Sequence, residues 1–123
     1  MKNLKGSYTS MSVDDLGAAT EFYSEKVGLE VLTDMSPNAI MLDGGGGTRC
    51  MIYPKDDHQP ATHTVLNLDV EDIESVVDDL SAKGVKFNQD EGTDDKGIST
   101  IGPAKAAWFN DPAGNFVSVT ENI

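Results

Sequence analysis

Residues 107–119 read AWFNDPAGNFVSV, two short apolar runs around Asp111, Pro112, Ala113, Gly114 and Asn115. Asp, Pro, Gly and Asn are the residue types that a tight reversal of extended chain requires, so the stretch predicts a β-hairpin. Alternation along its second strand places Val117 and Val119 on one face and Phe116, Ser118 and Thr120 on the other. Trp108 and Phe109 are adjacent on the first strand, so one faces each way, and parity leaves open which.

Upstream of the hairpin the chain contains the same unit twice. In VDDLGAATEFYSEKVGLEV, the apolar positions Leu16, Ala19, Phe22, Tyr23 and Val27 follow helical spacing; Asp14 or Asp15 suits the amino-terminal cap and Gly28 the stop. In VEDIESVVDDLSAKGVKF, Ile73, Val76, Val77 and Leu80 repeat the pattern between Asp72 and Gly84. Each helix follows a strand and precedes GLEV or GVKF, and Val13 and Val70 mark an offset of 57 residues.

Alternation also assigns faces to the strands. Met11 and Val13 point to the first helix, and Tyr8, Ser10 and Ser12 away from it. Thr64, Leu66, Leu68 and Val70 point to the second helix, and His63, Val65, Asn67 and Asp69 away. Further strands are expected over residues 29–34, 39–42, 48–53, 85–88 and 106–110. Gly44 to Gly47 lie between two strands, which predicts a loose hairpin loop rather than a phosphate cradle. Residues 89–105 are polar and glycine-containing, and predict either a disordered excursion or a lid.

Composition limits the function classes. A chain of 123 residues suits one domain, taken as residues 1–123 with module one at about 5–55 and module two at about 62–123. With 21 Asp and Glu against 9 Lys and Arg, the net charge is −12. Such a surface repels phosphate backbones and anionic lipid, so no nucleic acid and no membrane partner is expected. It suits solubility, or an organism of high internal salt. No apolar run approaches the ~20 residues of a membrane span, and Met1 to Lys5 precede no signal-like core, so a cytoplasmic protein is expected. Cys50 is the only cysteine and reads as a small buried hydrophobe, with no disulfide possible within the chain.

The order strand, helix, three strands, given twice, with V-D-D-L, F-Y and V-G-L in the first half and W-F-N-D-P-A-G-N-F-V-S-V in the second, resembles the vicinal oxygen chelate superfamily of glyoxalases, extradiol dioxygenases and bleomycin-resistance proteins. The resemblance implies an α+β fold: two βαβββ modules forming a curled mixed sheet around an open cleft, helices on the outer face, commonly as a homodimer. Enzymes of the superfamily hold a divalent metal in that cleft. Carried over by position, the metal ligands fall on Tyr8, Met51, Val65 and Ser118, none of them a usual donor for a catalytic divalent ion. His63 shares the face of Val65. His58, in YPKDDHQPATH, reads as part of a polar loop without a site.

No nucleophile elbow, zinc-protease motif or phosphate loop is present. The expected function is therefore metal-free binding of a small organic molecule, with no cofactor and no assigned catalytic residue. The binding set is Tyr8, Ser10, Ser12, Arg49, Met51, Tyr53, His63, Val65, Asn67, Trp108, Phe116 and Ser118. Arg49 favours an anionic ligand, Tyr and Trp a flat or cationic one. A metal-dependent lyase or dioxygenase with displaced ligands is the alternative.

Overall fold

In the computed structural model, which describes residues 1–123, two aspartates 57 positions apart start the two helices in the same way. Asp15 has φ −135° and ψ 106°, and its Oδ1 accepts the Ala18 N–H at 3.0 Å. Asp72 has φ −137° and ψ 94°, and its Oδ1 accepts the Ser75 N–H at 3.3 Å. Short side-chain acceptors of this kind satisfy amide groups that a helix start leaves unpaired.

The chain divides into two compact units, Met1–Gln59 and Pro60–Ile123. In the first, strand β1 (Thr9–Val13) leads into helix α1 (Leu16–Glu21), which widens into a π-helical stretch over Phe22–Val27. Gly28 ends it at φ +86°, a conformation that costs glycine no Cβ clash. Strands β2 (Val31–Met35), β3 (Ala39–Gly45) and β4 (Thr48–Pro54) follow. The sheet order is β1-β4-β3-β2, with β1 parallel to β4 and the other pairs antiparallel. Met11, Val13, Ile40, Leu42, Cys50 and Ile52 are buried with Leu16, Ala19, Phe22 and Tyr23 of the helix. The Tyr23 hydroxyl points at Met11 Sδ, 3.9 Å away, so even this ring's polar end is accommodated.

The second unit repeats the plan. Strand β5 (Thr64–Asp69), helix α2 (Ile73–Ala82) and strands β6 (Ile98–Ile101), β7 (Ala104–Asn110) and β8 (Phe116–Glu121) form the sheet β5-β8-β7-β6, with β5 parallel to β8. Ile73, Val77 and Leu80 of α2 are buried, as are Ala107, Phe109, Val117 and Val119 of the sheet. The hairpin between β7 and β8 is built as its residues predict. Asp111 Oδ1 accepts the Ala113 and Asn115 N–H groups at 3.0 and 2.9 Å, and Gly114 takes φ +86°. The fold is thus α+β, two similar βαβββ modules with mixed four-stranded sheets, neither closed on itself.

One expectation fails between residues 85 and 105, and a strand that the sequence did not signal is present there. The strand expected over 85–88 is reduced to a single bridge between Phe87 and Phe109. Residues 89–105, expected to be disordered or a lid, contain β6. The turn before it is closed by Asp94 Oδ1, which accepts from the Lys96 and Ile98 N–H groups, both at 2.9 Å. Those bonds hold the Asp94 carboxyl below its usual range. Lys96 pins the turn to α2, with Nζ 3.2 Å from Glu74 and 3.1 Å from Asp78. Alternation over four residues is too short a signal to reveal such a strand against its polar flanks.

One residue changes face. The pairing of β5 with β8 shifts between Thr64 and Leu66, leaving Val65 as the extra residue of a bulge. Thr64, expected toward α2, instead stands opposite Phe116 on the face turned away from the helix. A one-residue bulge shifts the alternation of the strand at that point, and sequence alternation cannot detect it.

Candidate functional site

The faces turned away from the helices carry the candidate residues. In the first module β4 is central to that surface. Cross-strand register sets Ser10 beside Met51 and Ser12 beside Tyr53, with Met41 on the other flank of Met51. Ser10 is exposed, and Ser12, Arg49, Met51 and Tyr53 are half-buried. Tyr8 lies just before β1, 50 % exposed, with its ring under the Arg49 guanidinium at 5.3 Å. His58, read as part of a polar loop without a site, reaches this surface: its Nδ1 lies 2.7 Å from the Ser12 hydroxyl. A turn closed by the His58 N–H on the Lys55 carbonyl brings it back to β1. Nothing in the local sequence signals a contact across 46 positions.

In the second module, Trp108 pairs with Ser118, which pairs in turn with Asn67. This resolves the open question of parity: Trp108 is on the face away from α2, half-buried, and Phe109 is in the core. Ser118 is fully buried, and its hydroxyl donates to Asn67 Oδ1 at 2.5 Å. The next step along the same face repeats the motif, with Thr120 Oγ1 3.0 Å from Asp69 Oδ1. Trp108 Nε1–H donates to Thr64 Oγ1 at 3.1 Å, a bond that exists because the bulge turned Thr64 over. Val65 is half-buried at the bulge itself.

His63, Thr64, Trp108 and Phe116 meet Asn88, Asp90 and Thr93 around a recess of about 420 Å³. Two aromatic walls with a polar rim, within the ~300–1,000 Å³ typical of small-molecule sites, form a concavity able to take a flat group. The loop residues 88, 90 and 93 were invisible as site residues, because their part depends on how the segment folds back and not on any motif.

The internal repeat makes the two faces comparable. Asn67 is 57 positions after Ser10, and Ser118 is 67 after Met51, so Ser10–Met51 and Asn67–Ser118 are equivalent strand pairs. The difference of ten arises between helix and next strand: α1 and β2 start 15 residues apart, α2 and β6 start 25 apart.

The sequence matches the Glyoxalase/Bleomycin resistance protein/Dioxygenase superfamily over residues 7–119. The chain belongs to that superfamily. Members of known structure share the fold at low identity. One is lactoylglutathione lyase from Agrobacterium tumefaciens (17 % identity, 97 % of this chain and 95 % of that one, TM-score 0.72). Another is the fosfomycin resistance protein FosX from Listeria monocytogenes (15 %, 98 % and 95 %, TM-score 0.74). A superfamily member from Sphaerobacter thermophilus is similar at 23 % identity, over 95 % of this chain and 98 % of that one, TM-score 0.73. Comparison with curated protein sequences finds no match.

Catalytic divalent ions take imidazole and carboxylate donors. At the positions carried over from the superfamily's enzymes, Tyr8, Met51, Val65 and Ser118 offer a phenol, a thioether, a hydrocarbon and a hydroxyl already given to Asn67. No three His, Cys, Asp or Glu side chains gather as a group able to hold an ion. These residues do not fit the superfamily's metal. No helix is long and apolar enough to cross a membrane.

Proposed function

We propose that this superfamily member is a metal-free binding protein for a small organic molecule. One observation carries the reading: Ser118, where the enzymes' acidic ligand is expected, is buried and its hydroxyl is committed to Asn67. A buried carboxylate at this place would need a cation to offset its desolvation, whereas a hydroxyl is satisfied by one carboxamide. The recess at Trp108 and Phe116 supports the binding half of the proposal, since aromatic walls bind flat groups without any metal. Binding at this recess and on the Tyr8–Tyr53 face of the first module accounts for the polar and aromatic character of surfaces that a solvated sheet would fill with charge.

Elemental analysis tests the proposal directly. Protein purified without chelator, then dialysed in turn against zinc, nickel, manganese and ferrous salts and freed of excess, is expected to retain well under one metal per chain. About one tightly held metal per chain overturns it in favour of a metal-dependent lyase or dioxygenase, and His63→Ala and His58→Ala would then identify the imidazole involved.

A further inference from the structure

Arg49 is the only arginine in the chain. It lies on β4 on the face away from α1, and the residue across β3 is Asp43. The two make no ion pair. Asp43 Oδ1 accepts the N–H of Gly45 at 2.8 Å, and the ion pairs of the chain are those of Lys55 with Asp57 and of Lys96 with Glu74 and Asp78. In a protein with 21 carboxylates, its single guanidinium is left without one.

What holds Arg49 is Tyr8. Register places Tyr8 beside Arg49, because Thr9 pairs with Cys50, and the guanidinium carbon lies 5.3 Å from the ring centroid. A guanidinium carries five N–H donors, and a contact with a ring face does not use them as hydrogen bonds. A tyrosine ring attracts cations, but this one is already covered by a cation. Apart from Asp43, whose Oδ1 accepts the Gly45 N–H, the strand neighbours on the same face, Ser10, Ser12, Met41, Met51 and Tyr53, carry no charge at neutral pH.

We infer that Arg49, stacked on Tyr8, is an anchor for the carboxylate of a small monoanionic ligand. The inference rests on the binding function proposed above and adds the ligand's charge class. A planar guanidinium matches a planar carboxylate through two parallel hydrogen bonds, and the stacked ring limits the side-chain freedom lost on binding. A monoanion is favoured over a phosphate dianion because repulsion from a surface of net charge −12 grows with ligand charge.

A single arginine gives a single Nε–H signal in a ¹⁵N-labelled chain, so the test reads Arg49 itself. The full-length protein is titrated with sodium benzoate, benzylamine hydrochloride and sodium phosphate at matched ionic strength. Benzoate is expected to shift the Arg49 Nε–H signal saturably. Arg49→Gln is expected to weaken benzoate binding, followed on backbone amides, by roughly tenfold or more with little change in melting temperature. The inference is overturned if benzoate leaves the signal unmoved or moves it no more than chloride does, or if phosphate binds more tightly than benzoate. Saturable binding of benzylamine in place of benzoate also overturns it, while leaving the small-molecule reading standing.

Discussion

Ser118 compresses the chemistry of this protein into one hydroxyl. Its position on a strand between Val117 and Val119 was legible from the hairpin motif, and so was its face. Its partner was not, because pairing β5 with β8 joins residues 51 positions apart. Ser118→Ala is expected to cost about 1 kcal/mol, since Asn67 is exposed and water can replace the lost donor. Ser118→Glu is expected to cost about 3 kcal/mol or more, because a fully buried carboxylate would have no cation. Urea denaturation of the three proteins distinguishes these values. Cys50 makes a second point at this scale. Burial pushes its thiol up, outweighing the opposing contact with Thr9, so the thiolate is depleted in the folded state. Its contribution to stability is complete below the unfolded thiol's value, about 8.5, and declines as pH rises above it, because only the unfolded chain then ionises readily. Native protein is expected to react with a disulfide reagent far more slowly than urea-unfolded protein at pH 8, and thermal stability to fall between about pH 8 and 10.

At the level of elements, what was legible had a period or a punctuation mark. Helices α1 and α2 announced themselves through apolar spacing between Asp and Gly, and the β7–β8 hairpin through its turn residues. What escaped was short, or depended on pairing. Strand β6 is four residues in a polar context, and the Val65 bulge exists only in relation to Phe116 and Val117. The glycines flanking these elements are not equivalent. Gly97 has φ +88°, and a Cβ there would lie 2.9 Å from the Asn88 carbonyl oxygen and 3.0 Å from Phe87 Cβ. Gly97→Ala is expected to cost about 2 kcal/mol or more and to loosen β6. Gly46, in the run between β3 and β4, has φ +59° and open space around it, so Gly46→Ala should cost only about 1 kcal/mol. Equal losses in thermal or urea unfolding would mean that the close approach at Gly97 is relieved by small shifts.

Across the whole molecule, charge is the dominant unspent term. The three ion-pair contacts, made by only two lysines, are solvent-exposed and contribute little against a net charge of −12. Mutual repulsion among carboxylates opposes the folded state at low ionic strength. The melting temperature is expected to rise by several degrees from 10 mM to 1 M potassium chloride as the Debye length shrinks from about 30 to 3 Å. A flat salt response would mean that the carboxylates are spaced widely enough to ignore one another. Composition made this much legible. The division of the candidate site between strand residues and a loop was not, since Asn88, Asp90 and Thr93 reach the Trp108 recess only through the path of the folded chain.

The ten extra residues between α2 and β6 give that recess two kinds of wall with different freedoms to vary. Thr64, Trp108 and Phe116 are bound by register, so changing their spacing would disturb a whole sheet. Asn88 is tied to β7 by its N–H on the Trp108 carbonyl, but Asp90 and Thr93 sit where insertions and deletions leave every strand partner in place. A lineage could lengthen or trim that loop and redraw what the recess admits in a single genetic step, while the repeated frame beneath it stayed constant.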